Sequence, residues 1–252
     1  MRHLRRFLRL IVFGILTPGA ELLWLLGWIP ARLLGRAEAW RGYIFSSWAR
    51  LILRLFGVSL ELRGPIPRGP GLVVSNHLSY LDVIVLASVM PCAFVAKREV
   101  RSWPILGALA ATMGTIFVDR ERNRDLLRVT TLLQERIAAG QMVVVFPEGT
   151  SSSGAEVLPF RPSLLDPFAR LELPVRYAAL RYETTGGDPP AANKVAWWGD
   201  MKFPSHFLGL LGLSRIKARL VFGEDGLVDP DRKRLAARLE EAVSRNFEPM
   251  NA

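Results

Sequence analysis

A histidine and an aspartate stand five residues apart in the stretch VVSNHLSYLDVIVL, which runs from Val73 to Leu86. The apolar run before His77 is typical of a buried strand, and residues 80–90 are typical of a helix. His77 would then lie just before the helix, with Asp82 in its first turn. An acid in that place can hold one ring nitrogen, which leaves the other free to accept a proton. The pair therefore predicts general-base chemistry.

Other interpretations of this pair stay open. Ser79 and Asp82 have the spacing of a helix capping box, which alone would account for the acid. No nearby serine stands in the G-x-S-x-G pattern of an α/β-hydrolase. His77 can instead take a proton from a substrate hydroxyl, which would then attack a thioester directly. A hydrolase with an unrecognised serine and a non-enzymatic membrane-surface protein are the competing hypotheses.

Two further apolar runs end in residues that suit an anionic or polar ligand. TIFVDR ends at Arg120, whose guanidinium can bind an anion. MVVVFPEGT ends in Glu148, Gly149 and Thr150, a turn whose N–H groups and hydroxyl suit a phosphate or a polar headgroup. Since Glu148 is acidic, we expect it to bind a hydroxyl or an arginine rather than the anion itself.

Alternating strand and helix patterns would position these residues. Continuous Val-rich runs between helical segments predict an α/β fold, with a largely parallel, buried sheet and helices on both faces. Ligands bind at the carboxyl ends of such strands, so the three motifs should meet in one crevice. The predicted strands cover about 71–76, 92–98, 115–120, 142–149, 174–182 and 216–224, and the predicted helices about 80–90, 102–114, 124–140, 162–171 and 229–246.

Composition narrows the class of partner. The 252 residues include 33 Lys and Arg against 23 Asp and Glu, a formal net charge of +10, which suits an anionic partner. Seven tryptophans and the lack of a zinc-finger or RNP-like motif favour a membrane surface over nucleic acid, and an acidic carrier is the third class of partner that the charge suits. Cys92 is the only cysteine, so neither an intrachain disulfide nor a cysteine metal site is expected.

The N-terminal 36 residues combine a basic start with an apolar stretch, Leu10 to Ile29, that Pro18-Gly19 and Glu21 interrupt. A cleaved signal peptide and a single transmembrane span are two interpretations. We favour a third, a half-inserted hairpin of two short helices, about 4–16 and 20–34, that meet at Pro18-Gly19. Basic residues at both ends then place the anchor on the cytoplasmic face of the inner membrane, as a monotopic or single-span protein.

The segment EAWRGYIFSSWARLILRLFG, residues 38–57, alternates Trp and Leu with Arg at helical spacing. This pattern predicts an amphipathic helix on the membrane interface, and a plain core-facing helix is the alternative. The expected organisation is therefore a membrane-associating region over 1–57 and an α/β domain over 58–252.

Four motifs in order resemble those of the PlsC-like glycerolipid (lysophospholipid) acyltransferase family. They are NHLSYLD, which resembles the family's N-H-x-x-x-x-D, then GTIFVDR, FPEGTSSSG and LPVRYAAL, and the resemblance covers about residues 60–225. The family implies that His77 acts as a general base that Asp82 orients. A glycerol hydroxyl would attack an acyl-CoA or acyl-carrier-protein thioester, and the resemblance implies no metal or cofactor.

The acceptor site follows from the same resemblance. Arg120, Glu148 and Gly149 would place the headgroup of a lysophospholipid, with 1-acylglycerol-3-phosphate as the first expectation and phosphatidic acid as product. Many family members that form phosphatidic acid carry arginine directly after E-G-T, where this chain has Ser151. Either Arg161 or Lys97 would then replace that guanidinium, or the acceptor differs. The segments VLPFRPSLL and WWGDMKFPSHFLGLL resemble the branch that acylates lyso-ornithine lipid, so that acceptor is the alternative.

Overall fold

The computed structural model describes residues 2–103, 106–119 and 125–250. Within these residues seven strands form one sheet, and their order is β1-β7-β6-β2-β5-β3-β4. Every neighbouring pair is parallel except β6 and β7, so the predicted α/β fold with a largely parallel sheet is confirmed. In chain order the strands are β1 (Val58–Arg63), β2 (Gly71–Ser75), β3 (Cys92–Lys97), β4 (Ile116–Val118), β5 (Met142–Val145), β6 (Val175–Thr185) and β7 (Arg215–Phe222).

Helices cover both faces of this sheet, as the alternating pattern predicts. They are α1 (Arg2–Leu33), α2 (Ala37–Phe56), α3 (Leu81–Val89), α4 (Leu106–Thr112), α5 (Asp125–Ala138), α6 (Pro162–Leu171), α7 (Ala191–Lys194), α8 (Phe203–Leu210) and α9 (Arg232–Asn246), with a short 3-10 helix over Arg98–Ser102. In β2, Val73 packs with residues of α2 and α3, whereas Leu72 and Val74 pack with α5, α6 and α9. Successive side chains of a strand point to opposite faces, which divides the interior into two cores.

The strand pairing brings the predicted motifs to one end of the sheet. Val74 of β2 pairs with Val145 of β5, and Ser75 pairs with Ala178 of β6. The segments that follow β2 and β5 therefore leave the sheet side by side.

The first strand and two short helices did not appear among the predicted elements. β1 alternates apolar and polar residues in VSLELR, is only partly buried, and lies at the sheet edge beside β7. Its pattern is that of a half-solvated strand rather than of the buried runs that dominate the sheet. α7 and α8 have only four and eight residues, too short for a clear helical period.

The predicted N-terminal hairpin is wrong, because α1 runs without a break from Arg2 to Leu33 and contains Pro18. A proline inside a helix costs about 3 kcal/mol, since it removes one hydrogen bond and crowds the preceding turn. Tertiary hydrogen bonds to residues before and after Pro18 offset that penalty. Trp48 donates its indole N–H to Thr17 at 3.2 Å, and Thr112 donates to the Glu21 carboxylate at 2.7 Å.

One side of α1 contacts the body and the opposite side is exposed. Phe13, Leu16, Ala20 and Trp24 pack against the core, at spacings of three or four residues. Among the described residues, α1 is the one helix long and apolar enough to cross a membrane, with a mean hydropathy of 1.8 over its best window and 6% of that window buried. The exposed apolar residues of its outer side include Leu4, Phe7, Leu8, Ile11, Ile15, Leu22, Leu26, Ile29 and Leu33.

The predicted interfacial position of residues 38–57 is also wrong, and the alternative of a core-facing helix is correct. α2 buries eight residues, among them Trp48, Ile52 and Phe56, in the same core as β2 and α3. Its aromatic and aliphatic residues recur at helical spacing because they face the sheet. Of the membrane-associating region predicted over 1–57, α1 alone therefore keeps that interpretation, which stays a prediction.

Candidate active site

The predicted histidine and aspartate lie in contact just beyond the end of β2. Nδ1 of His77 is 2.7 Å from Oδ2 of Asp82. Asp82 is completely buried, whereas 23% of the His77 side chain is exposed. The imidazole is thus held on its inner side by a carboxylate and reachable from outside.

Backbone donors hold the same carboxylate. The N–H groups of Leu78 and Ser79 donate to Oδ2 of Asp82 at 2.7 and 2.9 Å, and Ser79 Oγ accepts from the Leu81 N–H at 3.3 Å. In a capping box, the acid three residues into the helix accepts the backbone N–H of the capping residue, and the bond from Ser79 to Asp82 has this form. Asp82 therefore both caps the helix and contacts His77.

The tautomer of His77 follows from this arrangement. An ionised carboxylate only accepts hydrogen bonds, and Oδ2 of Asp82 already accepts the backbone N–H groups of Leu78 and Ser79. Nδ1 of His77 must therefore carry the proton that lies between the two groups, and Nε2 keeps its lone pair. An imidazole in this tautomer can act as a base through Nε2.

A tyrosine from another strand, which was not among the predicted site residues, completes the environment of Asp82. Tyr182 of β6, which is 1% exposed, donates its hydroxyl to Oδ1 of Asp82 at 2.8 Å. Burial and the charge of Asp82 both raise the pKa of Tyr182, so the phenol remains a donor. Both carboxylate oxygens of Asp82 are thus hydrogen-bonded, which compensates the burial of its charge.

The loop before α3 is fixed to the sheet on two sides. Asn76 donates to the Leu180 carbonyl and accepts from the Leu180 N–H, both at 2.8 Å. The His77 ring stacks on Phe146, with ring centroids 4.1 Å apart and an angle of 17° between the planes. These contacts restrict the imidazole to one orientation, which is what a positioned base requires.

Glu148 lies behind His77. It is 2% exposed, and its Oε1 accepts the backbone N–H of His77 at 3.2 Å. Burial raises the pKa of Glu148 to about 8, although this bond and a backbone N–H from Leu158 favour the ionised form, and the Asp82 charge raises it further. Its carboxyl therefore holds the backbone of His77 in place, and a contact between Glu148 and an acceptor remains a prediction.

The loop after β5 connects the His77 turn to the segment around Trp197. Gly149 has φ of +74°, a backbone conformation that disfavours side chains, and the chain then returns so that the Ser152 N–H donates to the His77 carbonyl at 3.0 Å. Ser151 donates its hydroxyl to the carbonyl of Trp197, whose own N–H donates to the Leu78 carbonyl at 2.8 Å. Ser151 is therefore engaged within the protein at the position where a guanidinium was expected.

The remaining predicted residues are more widely spread. Thr150 is exposed in the loop after Gly149, and Lys97 is exposed at the end of β3. Arg161 is exposed, and its backbone N–H donates to the Pro147 carbonyl at 2.9 Å, so it borders the loop after β5. Arg120 lies outside the described residues.

Comparison with known proteins identifies the family of the chain. The family model described as Acyltransferase matches residues 58–176, which include the His77 turn and the loop after β5. A lyso-ornithine lipid O-acyltransferase of Brucella abortus (strain 2308) is 34% identical over 219 residues, which cover 82% of this chain and 82% of the relative. The chain belongs to the acyltransferase family. It is accordingly an enzyme, and the resemblance seen in its four motifs is confirmed.

Further members of the acyltransferase family match over most of the chain. A 1-acyl-sn-glycerol-3-phosphate acyltransferase of Neisseria meningitidis is 32% identical over 198 residues, 77% of this chain and 76% of the relative. The crystal structure of the 1-acyl-sn-glycerophosphate (LPA) acyltransferase PlsC from Thermotoga maritima has a TM-score of 0.65 and 20% identity, and the match covers 97% of both chains. That similarity supports the fold from α1 onward.

Proposed function

We propose that the protein transfers a fatty acyl group from a thioester, acyl-CoA or acyl-carrier protein, to the free hydroxyl of a lysolipid, with His77 as general base. The observation that carries this proposal is the buried bond between His77 and Asp82, which leaves Nε2 of a fixed, partly exposed imidazole as the proton acceptor. The named activities of the relatives, on lyso-ornithine lipid and on 1-acylglycerol-3-phosphate, support the class of acceptor.

The reaction needs no enzyme nucleophile. Nε2 of His77 takes the proton as the lysolipid hydroxyl oxygen attacks the thioester carbonyl carbon, and Asp82 stabilises the imidazolium that forms. The tetrahedral intermediate then collapses, the carbon–sulfur bond breaks, and the imidazolium returns its proton to the departing thiolate. The products are an ester and a free thiol. Tyr182 and the backbone N–H groups act on this step only through Asp82, by holding it in place.

The first acceptor we propose is 1-acylglycerol-3-phosphate. Its phosphate suits a chain with a formal net charge of +10, and Lys97, Arg120 and Arg161 are the proposed cations for it. Gly149 and Thr150 are proposed to line the acceptor site through the loop that also holds His77.

Lyso-ornithine lipid is the second candidate acceptor, and a specific observation favours it. Ser151 replaces a guanidinium, and its hydroxyl is engaged with the Trp197 carbonyl rather than directed at a ligand. An acceptor without a phosphomonoester does not need that guanidinium. Relatives from Brucella abortus (strain 2308) and Rhodobacter capsulatus that are named for this lipid are each 34% identical to the chain.

We further propose that the outer side of α1 lies in the cytoplasmic leaflet of the inner membrane, parallel to its surface. The inner side is held along its length, since Arg9 donates to the Leu211 carbonyl at 3.1 Å and Glu21 accepts from Thr112. A helix fixed to the body in this way cannot also cross the bilayer on its own. Its exposed leucines match the apolar side of an interfacial helix.

The test supplies labelled acyl-CoA to the protein in detergent, with the two acceptors in parallel. We expect an acylated lysolipid, and we expect His77→Ala to lower turnover about 10²- to 10⁴-fold, the usual contribution of a general base. His3→Ala is the matched control, because His3 is exposed on α1 and should leave turnover unchanged. Product from 1-acylglycerol-3-phosphate supports the first acceptor, product from lyso-ornithine lipid alone supports the second, and full turnover by His77→Ala would refute the mechanism.

A further inference from the structure

The segment that follows α9, residues 247–250, returns to the interior of the protein. Its residue Met250 is 5% exposed and lies in the core that α2 and α3 share. Phe247 packs against both cores, and Glu248 pairs with Arg219 of β7. Ordering a segment outside helices and strands costs conformational entropy, which these contacts offset.

Met250 contacts β6 at a place where that strand has no strand beside it. β6 runs on to Thr185, whereas its neighbour β2 ends at Ser75, opposite Ala178. Backbone groups on this side of β6 therefore need other partners, because a buried N–H without an acceptor is unfavourable. The buried N–H of Tyr182 donates to Sδ of Met250 at 3.3 Å. The thioether, a weak acceptor, thus satisfies a backbone group that β2 does not reach.

The same side of β6 holds the turn after β2. Two residues before Tyr182, the Leu180 N–H and carbonyl bond the side chain of Asn76 in that turn. Tyr182 itself donates its hydroxyl to Oδ1 of Asp82 at 2.8 Å. The backbone position of Tyr182 therefore decides where its phenol meets the carboxylate, and Met250 contacts that backbone directly.

The backbone of Met250 reaches the loop after β5, which also supports the turn. Its N–H donates to the Gly154 carbonyl at 2.7 Å, and the Gly154 N–H donates to Ser152 Oγ at 3.2 Å. Ser152 donates its own N–H to the His77 carbonyl at 3.0 Å. Gly154 has φ of +80°, and a Cβ there would lie 2.9 Å from Sδ of Met250 and 3.2 Å from Cδ2 of Leu78. A glycine at this position therefore lets the methionine approach the turn closely.

We propose that Met250 is a positioning residue for acyl transfer, because its side chain fixes the backbone of Tyr182 and the Tyr182 phenol fixes Asp82. Met250 does not touch the reacting atoms. It acts on the rate only through the geometry of Asp82 and of the His77 imidazole. This inference rests on the proposed function, and it adds a contact from the segment after α9 to the support of the base.

A methionine that only fills the core would behave differently. Removing such a side chain lowers the stability of the folded protein wherever the cavity is made. A positioning contact also affects turnover, and only at this place. Met142 provides the matched control, since it is 3% exposed in the same core but lies at the start of β5, at the end of the sheet away from His77.

Turnover in detergent is measured with Met250→Ala and Met142→Ala, and both variants should have a lower Tm. We expect only Met250→Ala to lower kcat, about tenfold with KM within twofold, because a small displacement of a catalytic group is sufficient for such a loss. Met250→Leu keeps the volume but removes the sulfur acceptor. It should restore most of Tm and leave kcat about threefold below the wild type, so it carries the test if Met250→Ala does not fold.

A double variant identifies the route. If Met250 acts through Tyr182, the losses from Met250→Ala and Tyr182→Phe are not independent. The combined variant Met250→Ala/Tyr182→Phe should then be about tenfold slower than the wild type rather than about 100-fold slower.

Hydrogen exchange of the His77 ring gives a readout that needs no substrate. In protein labelled with ¹⁵N-histidine, the Nδ1–H signal of His77 is identified by its loss in His77→Ala. We expect this proton to exchange with water about tenfold faster in Met250→Ala than in Met142→Ala, because the bond to Asp82 opens more often.

The outcomes separate this inference from the proposed function. Equal kcat in the two alanine variants, wild-type kcat in Met250→Leu, or a combined variant about 100-fold slower would overturn the inference while acyl transfer still stands. If the wild type acylates neither lysolipid, the proposed function fails and ring exchange decides. Faster exchange confined to Met250→Ala then supports the positioning of Asp82, and equal exchange in Met250→Ala and Met142→Ala refutes it.

Discussion

The turn over residues 76–82 and the outer side of α1 depart from the usual rule of burial in opposite directions. The turn buries a carboxylate, Asp82, with no exposed surface, whereas α1 exposes large apolar residues such as Leu26 at 67%. Inside the turn, two backbone N–H groups, a phenol and an imidazole compensate the buried charge. Nothing within the described residues covers the outer side of α1.

The difference shows two ways in which an unfavourable placement becomes stable. A buried charge is tolerated when the protein itself supplies every hydrogen bond. An exposed apolar surface of this extent is tolerated when something other than water contacts it, which here we propose to be lipid. The fully hydrogen-bonded buried charge therefore marks the proposed catalytic turn, and the exposed apolar surface marks the proposed membrane side.

The largest effect should come from changing the charge in the turn while keeping its shape. Asp82→Asn leaves a side chain of the same size but cannot accept all the hydrogen bonds of the carboxylate or stabilise an imidazolium. We expect kcat to fall about 10²- to 10⁴-fold in the acyl transfer assay. Asp200→Asn, at an exposed position, is the control. Activity within threefold of wild type would mean that the buried charge serves folding alone.

The same contrast explains what could be predicted from the sequence. His77 and Asp82 were predictable because they lie five residues apart, so one tight turn decides their geometry. Tyr182 stands 100 residues from Asp82, and it arrives only because β6 pairs with β2. Alternating Val-rich runs identify a buried sheet, but they do not contain its strand order.

The N-terminal prediction failed for a similar reason. Pro18-Gly19 is a strong local signal for a turn, and the partners that oppose it, Trp48 and Thr112, lie far along the chain. α2 was predicted on the membrane because its Trp and Leu pattern suits lipid and protein core equally well. Tertiary contacts decided both cases, and a single sequence does not reveal them.

The buried polar groups near His77 can be tested a second time through Glu148. Its pKa of about 8 in the folded protein exceeds the ordinary 4.5. At a pH between these two values, Glu148 therefore takes up a proton when the protein folds. Stability should therefore fall as pH rises through this window, by at most about 1.4 kcal/mol per pH unit. Glu148→Gln removes the titrating group.

Denaturant unfolding at pH 5.5 and 7.5 in one detergent would measure this effect. We expect the wild type to lose more stability than Glu148→Gln on going to the higher pH, by up to about 3 kcal/mol. Glu156→Gln, at an exposed position in the next loop, should behave like the wild type. Identical pH dependence in wild type and Glu148→Gln would show that Glu148 is ionised throughout.

The apolar side of the comparison is tested on α1. Leu22 and Leu26 are 56% and 67% exposed and lie one turn apart, so Leu22→Gln/Leu26→Gln makes one patch polar. We expect partition onto anionic vesicles to fall about 30-fold, or about 2 kcal/mol, because both side chains lose contact with lipid. Leu173→Gln/Val228→Gln is the matched control, with exposures of 37% and 42% elsewhere on the surface. Equal losses in both variants would refute a specific membrane side.

The smallest expected effect is the one that separates positioning from catalysis. Tyr182→Phe removes a single donor and leaves Oδ1 of Asp82 buried without a partner, which should cost about 1–3 kcal/mol of unfolding free energy. Because Asp82 then has freedom to rotate, we expect kcat to fall about tenfold while KM stays within twofold. Tyr80→Phe is a matched control, since its hydroxyl bonds His206 at 3.1 Å and not Asp82. If both variants lose stability but only Tyr182→Phe lowers kcat, the phenol positions His77 through Asp82. Equal kcat in the two variants would mean that Tyr182 has a structural role only.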